Sequence, residues 1–382
     1  MLIELKGVQF VNKGAELMLE AMLSEIRKRW PNADICMQPR STASFKDRAR
    51  VGAYQKVCLR KGSFDCNKLS YFLPKKVRNY LKRAWGLVFE ADVDVIFDAT
   101  GFGYGDQWPV LPLKQAAKEV RRLKKHNKGY IFLPQALGPF ERAELRPWAE
   151  AAFNNASMVY AREQTSYDAV ARLGQSILVK KQPDFTNILS TEPIVVPDEY
   201  SNAVMIIPNS KMLSSKNRDI AWKDKYIPIL ASIIEILQGR GEAVILLNHE
   251  GASDQKVCEQ INERLNKPVA IINPSSALMI KAIIGQSKFV VCSRFHGCVS
   301  ALSQSIPCLG TSWSHKYEML FDEYGISNHL LLPQMDNKEL EQQITNMIDN
   351  NLSIRESLSS PAETFKNETE IMWRDIHKRL QN

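Results

Sequence analysis

The stretch from Val291 to Gly325 carries four basic side chains in two short groups, Arg294 with His296 and His315 with Lys316. An arginine offers a planar fork of donors to a carboxylate or phosphate, and a lysine offers a point charge. A histidine moves protons near neutral pH. Each group follows a short hydrophobic run, Phe289–Cys292 and Ile306–Leu309, that reads as a buried parallel strand turning into a helix. Open α/β sheets bind ligands outside the carboxyl ends of their strands, and helix N-termini favour anions. Ser293, Arg294, His296, His315 and Lys316 therefore read as a site for a small, multiply charged anion. For His296 a capped core histidine is the plainer reading, and the company of Arg294, His315 and Lys316 argues against it.

Other residues sit at similar junctions. Asn12-Lys13-Gly14-Ala15-Glu16 follows the first strand and opens the first helix. Asn12 serves there as an N-cap, or the turn offers its amide, Lys13, Glu16 and backbone N–H groups to a ligand. Arg162, in Ala161-Arg162-Glu163, either pairs with a neighbouring acid or aims its guanidinium at an anion. Asp184 follows Pro183 and either closes a turn or joins a site. The loop Gly101-Phe102-Gly103-Tyr104-Gly105 has GxGxG spacing, not the GxGxxG of a dinucleotide fingerprint, and reads as a turn lining a cleft. Gln135 heads Gln135-Ala136-Leu137-Gly138-Pro139 after another strand, and His249 ends a strand where it would line the acceptor side. No Ser–His–Asp arrangement or HxxxH spacing is present, and no cluster has metal-ligand spacing, so no metal is expected.

These residues must be held by regular elements. In the first half, strands at Leu2–Phe10, Asp34–Gln38, Val93–Asp98, Gly129–Leu133 and Met158–Tyr160 alternate with helices. The pattern lapses between Lys180 and Asn202, where prolines 183, 193 and 197 intervene, and then resumes from Ala203. A polar helical stretch, about Asn337 to Leu380, closes the chain. The alternation predicts βαβ units and parallel sheets. The expected fold is α/β, two Rossmann-like domains facing a cleft: residues 1–190, residues 200–335, and a C-terminal helical segment 336–382. With 382 residues, two cores are the natural expectation.

Composition is that of a globular protein, 45% hydrophobic and 24% charged. The first residues read as a charged strand rather than a signal peptide, and no apolar run reaches the ~20 residues of a spanning helix. The seven scattered cysteines suggest neither a disulfide framework nor CxxC metal spacing. A cytoplasmic protein is expected. The net charge of +8 is concentrated between Lys56 and Arg83, inside a basic insertion at about 56–90 interleaved with aromatic residues. That segment is either an amphipathic element on anionic lipid, making the protein membrane-peripheral, or a solvated basic helix whose aromatics face the core. Nucleic acid is not an expected partner, because no recognised binding motif accompanies the charge.

Taken in order, these motifs resemble the polysaccharide pyruvyl transferase family. The pieces are the Asn12–Glu16 turn, the glycine loop after Asp98, Gln135–Pro139, Ala161-Arg162-Glu163 with Ser166, Pro183-Asp184, Ser293–His296 and His315-Lys316-Tyr317. No family motif covers about 45 to 90. The resemblance implies a glycosyltransferase-B-like arrangement, phosphoenolpyruvate as donor and co-substrate with no further cofactor, and a sugar acceptor, either free or lipid-linked. The product would be a pyruvate ketal on a bacterial-type surface polysaccharide. It further implies donor binding by Arg162 and Arg294, with Ser293 beside them, and donor binding or acid–base catalysis by His296. His315 would share the proton transfers, and Lys316 with His315 would stabilise departing phosphate. Asn12, Lys13, Glu16, Gly101, Gly103, Gln135 and His249 fall to the acceptor or the cleft lining. The alternative is a nucleotide-sugar glycosyltransferase or epimerase of the same architecture, although no acid near Asn273–Ala277 is placed for a ribose. A non-enzymatic scaffold in polysaccharide assembly is a third reading.

Overall fold

The structure is a computed structural model that describes residues 1–214, 217 and 219–381; Asn382, the end of the expected C-terminal segment, lies outside the described residues. The chain forms two compact units. The first comprises Met1–Val11, Met18–Phe185 and the residues from Ile371 onward; the second comprises Asn12–Leu17 and Thr186–Glu370. The units therefore do not follow chain order. The helix Lys13–Arg29 starts in the second unit and continues in the first, and the helix Asn351–Gln381 is shared in the same way.

In the first unit the strands are β1 (Leu2–Lys6), β2 (Asp34–Met37), β3 (Tyr54–Lys56), β4 (Arg60–Lys61), β5 (Phe64–Asp65), β6 (Leu87–Val88), β7 (Val95–Asp98), β8 (Gly129–Gln135), β9 (Met158–Ala161) and β10 (Val179–Lys181). All but β4 and β5 form one parallel sheet in the order β10-β9-β8-β7-β1-β2-β3-β6, and β4 and β5 make a small antiparallel hairpin. One core packs Ile96, Tyr130 and Phe132 of the central strands against Leu113, Ala116, Ala117, Val120 and Leu123 of the helix Val110–Lys125. Phe97, the next residue on β7, turns the opposite way onto Trp30 and Trp373. Burial on both faces explains why these strands read as continuous hydrophobic runs.

The second unit holds β11 (Val204–Ile207), β12 (Val244–Leu247), β13 (Ala270–Ile272), β14 (Val290–Cys292) and β15 (Cys308–Gly310), parallel in the order β13-β12-β11-β14-β15. Successive residues alternate between two cores. Met205, Ile207, Val290 and Cys292 join one, while Val204, Ile206 and Val291 join the other. The second core includes Trp222, Tyr226, Ile233 and Leu237 of the helix Trp222–Gly239.

Several boundaries depart from the sequence reading. The first strand ends at Lys6, not Phe10, because Gly7 takes φ +83° and packs so tightly on Ala99 and Thr100 that no Cβ fits. The C-terminal stretch is two helices, Asn337–Asp349 and Asn351–Gln381, broken at Asn350. Between 54 and 90 the sequence shows only a basic region, yet β3 and β6 extend the sheet there. Among the described residues no helix is long and apolar enough to cross a membrane.

Candidate functional site

In the second unit the residues of interest follow the carboxyl ends of adjacent strands. Asn209 follows β11, His249 and Glu250 follow β12, Ser293 and Arg294 follow β14, and Ser314 to Lys316 follow β15. The turn Asn12–Glu16 belongs to the same unit. Asn12 caps its own helix by accepting from Ala15 N–H at 2.9 Å, and its amide donates to Glu250 at 2.5 Å. The N-cap is thus present, and the amide is engaged by a protein carboxylate. Lys13 donates to the Ser275 carbonyl at 2.6 Å and to Glu16 at 2.7 Å.

Arg294 is the electrostatic centre. Its Nε and Nη2 donate to the two oxygens of Asp254, at 2.7 and 2.6 Å, and Nη1 donates to Glu250. Asp254 is fully buried and also accepts from Ser210 N–H at 3.0 Å. Burial works against the Arg294 charge, but Asp254 and Glu250 outweigh it and raise the guanidinium above its ordinary pKa. The sequence reading gave Arg294 to a bound anion without these two carboxylates. Its charge is already matched, and Glu250, whose side chain is 26% exposed, is the partner that solvent reaches.

His296 sits in the first turn of the helix Phe295–Leu302, half-buried. A Cβ built on Gly14 would stand 2.3 Å from its Nδ1, so only glycine leaves room for the imidazole. His249 is buried behind the same turn, its ring 3.7 Å from the place a Cβ would take on Gly297. Burial, and then the positive charge of Arg294, His296 and Lys13, hold His249 well below the ordinary histidine value. It is neutral at pH 7, and among the described residues its Nδ1 has no hydrogen-bond partner.

Ser293 lies deeper. Its hydroxyl receives hydrogen bonds from Tyr226 at 2.5 Å and Thr311 at 2.7 Å, and its carbonyl receives Asn209 and Tyr317, each at 2.9 Å. These bonds lock the β14 turn, a part that the side chain's type alone did not indicate. Lys316 Nζ lies over the rings of Phe295 and Trp313, each at 4.9 Å, beside His315 at the start of the helix His315–Glu323. Cation–π contacts hold the ammonium near Phe295, the neighbour of His296.

In the first unit, the carboxyl ends of β7 to β10 gather the remaining motifs. Asp98 is buried and accepts from Thr100 N–H at 3.0 Å, from Tyr104 OH at 2.8 Å, and from Tyr130 OH. Gly103 and Gly105 have no room for a Cβ, the first against Thr100 and the second against the Gly138 carbonyl. The glycine loop is therefore packed against its neighbours. Gly101, at φ +81°, accepts Ala136 N–H at 2.8 Å. Gln135 donates to the Asp98 carbonyl at 3.0 Å, while its buried Oε1 has no partner among the described residues. Arg162 is 5% exposed and donates to Asp184 at 3.2 Å, and Ser166 accepts Leu137 N–H at 2.7 Å while donating to Glu163. Four motifs scattered along the sequence are thus one bonded framework. A cavity of about 620 Å³ lined by Asp94, Asn127, Gly129 and Ser157 lies at the amino ends of β7 to β9, away from these motifs.

Glu250, Asp254, Tyr226 and Tyr317 were not singled out by the sequence reading. Asp254 lies within a helix, Gly251–Asn262, and nothing local marks it as the partner of an arginine 40 residues later.

The family model for polysaccharide pyruvyl transferase matches residues 12–315. No curated protein matches the chain. Among solved structures, UDP-GlcNAc 2-epimerase from Neisseria meningitidis, bound to UDP-GlcNAc, aligns with a TM-score of 0.62 at 11% identity, covering 99% of this chain and 100% of that one. The UDP-GlcNAc 2-epimerase of Methanocaldococcus jannaschii gives 0.56 at 12% identity, covering 91% and 93%. A putative UDP-N-acetylglucosamine 2-epimerase from Listeria monocytogenes gives 0.55 at 10% identity, covering 94% and 90%. At such identities the likeness is one of fold, and the fold is glycosyltransferase-B-like.

Proposed function

The chain belongs to the polysaccharide pyruvyl transferase family, and from that premise we propose that it transfers the enolpyruvyl unit of phosphoenolpyruvate to a sugar of a surface polysaccharide or its lipid-linked precursor, forming a pyruvate ketal. The observation that carries this reading is the convergence of Arg294, His296 and neutral His249 with the Asn12–Lys13 turn in the second unit.

The reaction needs two proton movements and one departure. A sugar hydroxyl adds to C2 of phosphoenolpyruvate as the methylene carbon takes a proton and becomes a methyl group. A second hydroxyl then attacks C2, the C2–O bond to phosphate breaks, and inorganic phosphate leaves with that hydroxyl's proton. Acid–base assistance by a positioned imidazole contributes roughly 100- to 10,000-fold. His296 is the residue assigned to this work, its imidazole occupying the space that the absent side chain of Gly14 leaves. His315 and Lys316 are assigned to the departing phosphate, where a cation held by aromatic rings costs little to reorganise. Arg294 holds one anionic group of the donor once Glu250 moves off Nη1, while Asp254 keeps the guanidinium aligned.

The test is incubation with phosphoenolpyruvate or UDP-sugars and candidate lipid-linked oligosaccharides. Phosphate release and a product carrying a pyruvate ketal by mass spectrometry are expected. UDP release without phosphate would give the protein the chemistry of an epimerase or glycosyltransferase instead. His296→Ala should abolish turnover and leave donor binding intact; near wild-type turnover would remove its acid–base role.

A further inference from the structure

The residues between Leu59 and Trp85 present an outward face that the proposed chemistry does not use. An ordinary surface helix turns its apolar side inward. The helix Lys75–Trp85 has no buried residue, Leu81 being only half-buried, and ion pairs tie it down. Arg78 pairs with Asp92, Lys82 pairs with Asp34 at 2.7 Å, and Gly86 ends the helix in a left-handed turn. Before the helix, Tyr71 stacks on His126 at 3.7 Å and Asp65 is held by Arg122 at 2.8 Å. Lys56, the first cation of the run, is buried between Glu4 and Glu119.

What remains outside is apolar and cationic together. Phe72 is 82% exposed, Trp85 69% and Tyr80 65%, with Phe64 and Val77 also exposed. The core-facing position expected for the aromatics of a solvated basic helix does not hold for Phe72, Tyr80 or Trp85. Lys61, Lys68, Lys75, Lys76 and Arg83 are exposed, and among the described residues none has an acidic partner. On the helix, Tyr80 lies one turn from Lys76 and Arg83, so ring and charges share a face. Water gains nothing from such an arrangement.

We infer that this face docks the protein on an anionic lipid surface, with Tyr80 and the exposed Phe72 at the headgroup level and Lys76 and Arg83 over lipid phosphates. Charge complementarity selects this occupant, since the only acid of the segment, Asp65, is turned inward to Arg122. Interfacial aromatics and juxtamembrane cations are the residue types that such surfaces retain.

The test is sedimentation of the full chain with vesicles of phosphatidylcholine alone or of equal parts phosphatidylcholine and phosphatidylglycerol. Binding to the mixed vesicles only is expected. The double variant K76Q/R83Q should lower that partition by roughly 25-fold, from a contribution of about a factor of five per cation near the surface. The double variant F72S/Y80S should lower it at least severalfold, with both variants melting at the wild-type temperature. Equal binding to both vesicles, absence of binding, or variants that bind like wild type would each overturn the inference. So would a dimer that F72S/Y80S dissociates, or binding to a single-stranded oligonucleotide, if vesicles are ignored.

Discussion

His296 rests its imidazole where a side chain on Gly14 would otherwise be, with Nδ1 2.3 Å from the position of a Cβ there. Gly14 lies in the first turn of a helix, so alanine would suit the backbone by up to about 1 kcal/mol. Gly14→Ala is therefore expected to keep or raise the melting temperature while cutting turnover at least tenfold, because the ring must shift. A calorimetric scan beside a phosphate-release assay separates the two effects. Equal activity at equal stability would show that the ring position is immaterial.

The two carboxylates on Arg294 should differ in energetic weight. Asp254 is fully buried and grips the guanidinium with both oxygens, so Asp254→Ala leaves a buried cation short of its partner and should cost about 3–5 kcal/mol. Glu250 is partly in water, and Glu250→Ala should cost about 1 kcal/mol or less. Urea unfolding of the two variants checks the ranking.

Glu250 competes with any anion for Arg294 Nη1. Removing its charge while keeping its shape should favour the donor. Glu250→Gln is expected to lower the KM for phosphoenolpyruvate severalfold with little change in kcat, read from initial rates at varied donor. A raised KM would make Glu250 part of the donor site instead.

His249 sets a pH dependence of stability. Its folded pKa lies well below 6.5, chiefly from burial, so the unfolded chain takes up its proton first as pH falls. Stability from this residue is complete above about pH 6.5 and declines below it, at up to about 1.4 kcal/mol per pH unit. Unfolding midpoints for wild type and His249→Phe between pH 7 and 5 should show a shallower slope in the variant. Parallel slopes would mean that His249 does not stay neutral.

The parallel sheets were legible because their strands are buried on both faces and stand out as apolar runs before glycine or polar turns. β3 and β6 were not, since Tyr54–Lys56 and Leu87–Val88 are short and the first carries a lysine in its own buried ion pair. The basic residues at the strand ends were legible one by one. Their partners were not, because the Arg294–Asp254 pair depends on β12 and β14 flanking β11. Membership of the Asn12 turn in the second unit depends likewise on contacts far along the chain.

That turn has a consequence for synthesis. Asn12 meets Glu250 across 238 residues and Lys13 meets Ser275 across 262, so this turn is made well before its partners are. The start of the Lys13–Arg29 helix waits, capped by Asn12, until the chain has been extended past Ser275. Cutting the chain at Phe185–Thr186 would strand Asn12–Leu17 with the wrong half, and the last turns of the C-terminal helix with the other. Neither half expressed alone holds all the residues of its unit, whereas the two co-expressed have every piece needed to reassemble.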